Sequence, residues 1–246
     1  MNRTRSASIA LLLPVLLGMG GCYDDPSSFE EGSWTLVATF PLSVTEPSGL
    51  CLDQDGRTFW TVSDETAMVY RLDREGRVLQ TLSYVGEDLE GICLDPLDGS
   101  LWVAEERRRQ AVHLSRTGTV LDRLDVEQHG AANSGLEGIC FDGDGQLLLL
   151  NEKDPGRLLC VPRTGGASTG RDLDFARDYS GLCWDEPRQS LWVLSDESRA
   201  LFRLREDQSP VRYSLDLPRI EGIAVEADTA WVVSDSYSKL FRIQFD

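Results

Sequence analysis

Histidine is nearly absent from this 246-residue chain, with two copies, and its 24 lysines and arginines are outnumbered by 41 aspartates and glutamates. Each scarcity excludes something. Neither His113 nor His129 stands in a serine- or cysteine-nucleophile motif, so a hydrolytic triad finds no support. A net charge of −17 excludes nucleic acid as a partner, because phosphate binding needs basic stripes. No run after the N-terminus approaches the roughly 18 apolar residues of a membrane-crossing helix. The six cysteines lack the paired spacing of a zinc site. Thr164-Gly165-Gly166 reads as a turn, not a phosphate loop, and Asp142-Gly143-Asp144-Gly145, without the rest of an EF-hand, reads as a hairpin turn.

Residues 1–21 read as a signal peptide. Arg3 and Arg5 precede the apolar run Ile9 to Leu17, and small residues lead to Cys22. Glycines at both positions before Cys22 match a bacterial lipoprotein signal, cut before the cysteine whose thiol then carries diacylglycerol; Met19 departs from the leucine or valine usual there. An ordinary secretion signal and an uncleaved anchor are the competing readings. Residues 22–32 are polar and turn-rich and form the expected tether to a domain of residues 33–246. Loss of Arg3 and Arg5 takes the charge to −19. Anionic headgroups repel such a surface, so attachment to the lipid bilayer is expected through Cys22. A cell-envelope location facing the periplasm or exterior follows. Tyr23 and the Asp24-Asp25 pair leave plasma membrane and outer membrane both open.

One pattern recurs five times: Ser48-Gly49-Leu50-Cys51-Leu52-Asp53, Glu90-Gly91-Ile92-Cys93-Leu94-Asp95, Glu137-Gly138-Ile139-Cys140-Phe141-Asp142, Ser180-Gly181-Leu182-Cys183-Trp184-Asp185 and Glu221-Gly222-Ile223-Ala224-Val225-Glu226. Its glycines are 42, 47, 43 and 41 residues apart. A period near forty containing short β-like runs predicts an all-β fold, a β-propeller with one four-stranded blade per repeat. In the second repeat the strands are expected at Gly91 to Asp95, Leu101 to Ala104, Ala111 to Ser115 and Val120 to Val126. Trp60, Trp102, Trp192 and Trp231, with Leu148 in the third repeat, share one second-strand position and are expected to fill the space between blades. Four cysteines alternate with Ala224 at one position, which argues for a small buried side chain against the next blade.

The last repeat ends at Asp246, after its third strand, while a spare strand, Trp34 to Phe40, precedes the first. Pairing the two closes a ring of five blades and removes the open edges. No stretch within residues 33–246 is long enough for a sixth.

Aligned on the glycine, every repeat places a carboxylate where its second strand ends: Asp64, Glu106, Glu152, Asp196 and Asp235. A second set, Glu90, Glu137 and Glu221, precedes the glycine, with Ser48 and Ser180 in the other repeats. First strands line the channel of a propeller, so these acids repeat around its axis. Carboxylates about 8 Å apart repel by about 2 kcal/mol at an effective dielectric of 20. Water, protonation or a cation can relieve that, and Ca²⁺, which takes six to eight oxygens in flexible geometry, suits such a ring. The structural alternative is that the second-strand acids cap turns or bond the next blade.

Gly135-Leu136-Glu137-Gly138-Ile139, Leu150-Asn151-Glu152-Lys153-Asp154-Pro155, Asp178-Tyr179-Ser180-Gly181 and Leu194-Ser195-Asp196-Glu197-Ser198-Arg199-Ala200-Leu201 resemble the SdiA-regulated family, the YjiK/CarP group of β-propeller envelope proteins, over about residues 34 to 246. The resemblance implies a propeller in the bacterial envelope. It tilts function toward calcium, with phytase-like chemistry in the background, and supplies no catalytic residue. The expectation is a membrane-anchored binding or scaffold module holding Ca²⁺ or another divalent cation near the channel. A metal-dependent hydrolase of a phosphate ester or lactone and an ion-free platform for a protein partner are the alternatives.

Overall fold

The computed structural model describes residues 29–126, 135–206 and 208–246. Those residues form five sheets, each built on four antiparallel strands, and no α-helix. Blade 1 runs outward from the axis through Pro47–Leu52, Phe59–Ser63, Met68–Leu72 and Val78–Val85. Blade 2 is Leu89–Leu94, Leu101–Glu105, Gln110–Leu114 and Val120–Asp125. Blade 3 is Leu136–Phe141, Leu147–Asn151, Arg157–Val161 and Thr169–Asp172, and blade 4 is Gly181–Asp185, Ser190–Ser195, Ala200–Arg205 and Gln208–Ser214. Blade 5 takes Ile220–Glu226, Thr229–Ser234 and Lys239–Phe245 from the end of the chain. Its outer strand is Trp34–Pro41, paired antiparallel with Lys239–Phe245 from Trp34 opposite Phe245 to Pro41 opposite Lys239. The chain thus closes its own ring, as the spare strand predicts.

The described end of the expected tether is not free. Glu30 and Glu31 run parallel to blade 4's outer strand, opposite Val211 and Arg212, and the Gly32 N–H donates to the Arg212 carbonyl at 2.8 Å. Phe29 packs edge-on against Phe202, ring centres 5.2 Å apart. The signal segment, Cys22 and His129 lie outside the described residues. Among those described, no helix is long and apolar enough to cross a membrane.

Each blade is apolar on both faces, so the core divides into five wedges, one per junction. Trp60, Trp102, Trp192 and Trp231 fall in four of these wedges and Leu148 in the fifth, all buried. A third-strand arginine lies over the indole in three blades: Arg71 on Trp60, Arg203 on Trp192 and Arg242 on Trp231. His113 fills that place in blade 2, stacked on Trp102 with ring centres 4.5 Å apart and its Nε2 2.6 Å from Ser100 Oγ. It is a packing residue.

Arginines also latch blade to blade. Arg116 of blade 2 grips Asp53 of blade 1 through two bonds of 2.8 and 2.7 Å, and Arg74 of blade 1 pairs with Glu226 of blade 5. Arg163 of blade 3 reaches Asp95 of blade 2 at 2.5 Å. Glu206 stands at the corresponding position of blade 4 in place of the arginine, and Asp142 accepts backbone N–H groups from Asp144 and Gln146.

At the axis the repeat glycines touch. A Cβ on Gly49 would lie 2.9 Å from the Glu90 carbonyl oxygen, on Gly91 2.8 Å from that of Glu137, and on Gly181 3.1 Å from that of Glu221. Glycine is required because five inner strands converge on a narrow centre. The gap they leave is about 10 Å³, room for about one water. The channel is therefore plugged at mid-height, with a separate cavity on either side.

Candidate functional site: an acidic cup on the axis

The cup lies where chain enters the inner strands and leaves the second ones. A local irregularity puts glutamates there. In blades 2, 3 and 5 the ladder skips a residue, pairing Leu89 with Glu105 and then Gly91 with Ala104, Leu136 with Asn151 and then Gly138 with Leu150, and Ile220 with Ser234 and then Gly222 with Val233. The skipped residues are Glu90, Glu137 and Glu221. Such a bulge takes a residue out of the pairing and re-aims its side chain. In blade 1 the skipped residue is Gly49, and Ser48 donates its hydroxyl to Glu90 at 2.7 Å.

Asp64, Glu106, Glu152, Asp196 and Asp235 each follow the last residue of a second strand. Backbone N–H groups of four of them donate to the loop entering the inner strand: Asp64 to Glu46, Glu106 to Asp88, Glu152 to Gly135 and Asp235 to Arg219, at 2.9–3.2 Å. Turn capping falls mostly to the buried residue before the acid. Ser63 donates to the Thr45 carbonyl, Glu105 receives the Tyr84 hydroxyl, Asn151 donates to the Pro155 carbonyl, Ser195 bonds Asp178, and Ser234 donates to the Pro218 carbonyl. Asp196 and Asp235 do bond backbone as well, accepting the N–H of Ile220 and Ser236.

All eight carboxylates singled out in the sequence line one cavity of 340 Å³. Glu46, Asp178 and Glu197 join them, as do two cations, Lys153 and Arg219. A readable signal accompanies the additions: Glu46, Asp88, Gly135, Asp178 and Arg219 all stand three residues before a repeat glycine. Glu46, Asp88 and Arg219 hold left-handed backbone, with φ of 41, 59 and 49°. A side chain at Gly135 would collide with Glu106, so glycine makes that acid's room.

The two cations are placed unevenly. Lys153 reaches Glu152 at 2.6 Å and Glu197 at 3.2 Å, while Arg219 lies 3.9 Å from Asp196 and 3.8 Å from Asp235. Both serve blades 3 to 5. On the other side Asp64, Asp88 and Glu90 offer oxygens within 4.8 Å of one another, with Arg107 on the rim 3.2 Å from Asp88. Glu152, Asp178 and Glu197 make a second such group.

Burial and crowding raise the proton affinity of the cup. Burial, then the Asp88 carboxyl, pushes Asp64 up to about 6. Burial, opposed by the Ser48 hydroxyl and aided by Asp64 and Glu106, takes Glu90 to about 8. Burial, with Asp196 and Asp235 adding to it, takes Glu221 to about 9, and burial first and Glu90 second put Glu137 well above the usual carboxylate range. Unrelieved, the floor of the cup holds protons at neutral pH. A multivalent cation can replace those protons, and the donor set, carboxylate oxygens without nitrogen or sulfur, fits a hard ion such as Ca²⁺.

Residues 41–241 match the family model described as SdiA-regulated. Solved structures similar to this one include virginiamycin B lyase from Staphylococcus aureus, with 16% identity and a TM-score of 0.52, covering 80% of this chain and 66% of the lyase. The gluconolactonase of Xanthomonas campestris gives 13% identity and a TM-score of 0.56, covering 86% and 99%. A chain of the nidogen/laminin complex gives 16% and 0.58, covering 76% and 72%. The chain spans about two thirds of the lyase's length. At such identities the likeness is one of fold.

Proposed function

The chain belongs to the SdiA-regulated family, and from that premise we propose that it is a lipid-anchored binding module of the cell envelope that holds Ca²⁺ or another divalent cation in the axial cup. The observation that carries the reading is convergence. Eight carboxylates from five repeats line one cavity, and the bulges of blades 2, 3 and 5 aim glutamates into it although burial there disfavours their charge. Packing alone gives no reason to repeat a charge five times; a cation does. Asp64, Asp88 and Glu90 are the residues that would hold it first, since Lys153 and Arg219 line the cavity on the other side, while the cation on this side, Arg107, meets Asp88 from the exposed rim. The anchor is Cys22, with the diacylglyceryl thioether that the leader's glycines favour.

Hydrolysis of a phosphate ester or lactone is the second reading. One observation favours it: glutamates whose pKa lies near or above neutral can act as general acids beside a metal.

Melting curves with Ca²⁺, Mg²⁺ and Zn²⁺ test the first reading. A bound ion stabilises the fold by RT ln(1 + [L]/Kd), about 2.7 kcal/mol at a hundredfold excess over Kd. Calcium should raise the melting temperature, and the variant Glu90→Gln/Glu137→Gln/Glu221→Gln should stay folded and lose the response. If millimolar calcium leaves the wild-type curve unmoved, the cation reading fails. Turnover of phosphate esters or lactones in the ion's presence would favour the hydrolase instead.

A further inference from the structure

On the far side of the glycine plug lies a second cavity, of 690 Å³, with the opposite chemistry. Four thiols, Cys51, Cys93, Cys140 and Cys183, and Ala224 form one ring of its wall, and aliphatic residues of the five inner strands form most of the rest. All these cysteines are free, and burial pushes the Cys183 thiol up to about 12. They stay protonated at neutral pH and act as apolar wall. Phe141 and Trp184 add aromatic surface. The Trp184 indole is held in place by its N–H, which donates to Glu186 Oε2 at 2.6 Å.

Charge at the mouth has a single sign. Asp142, Asp144, Asp185, Glu186 and Glu226 line it, with no lysine, arginine or histidine among the described lining residues. Most of these acids already have partners. Arg74 pairs with Glu226, Arg188 lies 3.4 Å from Asp185, and backbone N–H groups serve Asp142. Asp144 and Glu186 are exposed and face solvent at the entrance.

We propose that this cavity is a second ligand site, taking a small molecule with an alkyl or aryl body and a cationic amino head. Its size and mainly apolar wall are those of a small-molecule pocket. Water gains little from a wall with so few polar partners, so an apolar body replaces it favourably. The carboxylate mouth and the aromatic rings both favour a cation and disfavour an anion. This site shares no residue with the acidic cup and does not depend on what the cup binds.

Calorimetry on the purified protein at physiological salt, with decylamine, decanol and decanoate as probes below their aggregation limits, tests it. Decylamine should bind at least tenfold more tightly than decanoate and more tightly than decanol. It should also shift the tryptophan fluorescence through Trp184 in the wall, a change that Trp184→Phe should remove. Asp144→Asn/Glu186→Gln removes the two exposed charges while leaving an amide oxygen at position 186 to accept the Trp184 N–H; it should keep decanol binding and erase the preference for the amine. Leu97→Trp, which adds bulk at an exposed lining residue, should weaken both probes severalfold. Decylamine binding that leaves the Trp184 emission unmoved, decanoate bound as tightly as decylamine, or an amine preference that survives in the double variant would each overturn the proposal.

Discussion

Gly222 of the last blade rests directly on Gly49 of the first: a Cβ on Gly222 would stand 2.5 Å from the Gly49 carbonyl carbon and 2.7 Å from the Leu50 nitrogen. No rotamer relieves a collision with backbone, so the two inner strands would have to separate at the seam where the ring closes. Gly222→Ala should therefore destabilise by about 1–3 kcal/mol, the usual range for overpacking. A lower denaturant midpoint with an unchanged slope is the expected signature. An unchanged midpoint would mean that the axis is looser than these contacts require.

Closure depends on the strand Trp34–Pro41, whose partner Lys239–Phe245 otherwise becomes an open edge. Trp34 also donates its indole N–H to the Ser214 carbonyl of blade 4 at 2.8 Å. A chain truncated to begin at Val44 should aggregate or melt far lower than the intact domain. Retention of the original melting temperature would contradict closure by this strand.

The repeat made the blades, their number and the closing strand legible in the sequence, because a four-stranded blade has a fixed chain length and a tryptophan at a fixed place in it. The same alignment brought Glu90, Glu137, Glu221 and the five second-strand acids to one end of the axis. Glu46, Asp178 and Arg219 were harder to see. They sit in the entering loops, where residue types vary from glycine to arginine and only their distance from the glycine repeats. The plug was hidden too. That Gly49, Gly91 and Gly222 touch across blades is a property of ring radius, which no single strand encodes. Cys51 and Cys183, read as packing between blades, also border the apolar cavity, a consequence of that same plug.

The latch between Arg116 and Asp53 gives a stability term with a definite pH window. Burial alone would raise the Asp53 pKa, but the Arg116 guanidinium and the Gln54 N–H overcome it and hold the carboxyl at about 2. Its folded pKa lies below its unfolded value near 4, so the stabilisation is present above about pH 4 and lost as pH falls toward 2. Arg116→Ala leaves Asp53 buried beside Arg71 alone, at 2.7 Å. Since Arg116 is itself partly exposed, the cost at neutral pH should be about 1–3 kcal/mol, below that of breaking a fully buried pair. The loss should shrink between pH 4 and 2; a constant penalty across that range would show that packing on Trp60, not charge, is what Arg116 contributes.

Cys22→Ser tests the anchor. The acidic surface offers no attraction to anionic lipid, so a protein without its thioether should leave the membrane fraction or persist as an uncleaved precursor. A variant that fractionates and migrates like wild type would exclude lipidation at this cysteine.

Protonation of the cup gives the last prediction its sign. Glu90 and Glu221 have folded pKa values of about 8 and 9, above the ordinary 4.5 of the unfolded chain. The folded protein therefore binds more protons than the unfolded one between those limits, and without a cation its stability should fall as pH rises from about 5 to 9. A cation competes for the same oxygens. It should bind more tightly as pH rises through that window, release protons as it binds, and flatten or reverse the decline in melting temperature. Glu90→Gln/Glu137→Gln/Glu221→Gln leaves Asp64, at about 6, as a titrating group of the cup, so its apo melting temperature should decline mainly below about pH 7, vary little from there to pH 9, and exceed that of wild type at pH 9. Proton release measured by calorimetry in two buffers of different ionisation enthalpy checks the coupling. A wild-type melting temperature that rises from pH 6 to 9 without added cation would mean the glutamates are already ionised and stabilised by something other than a proton.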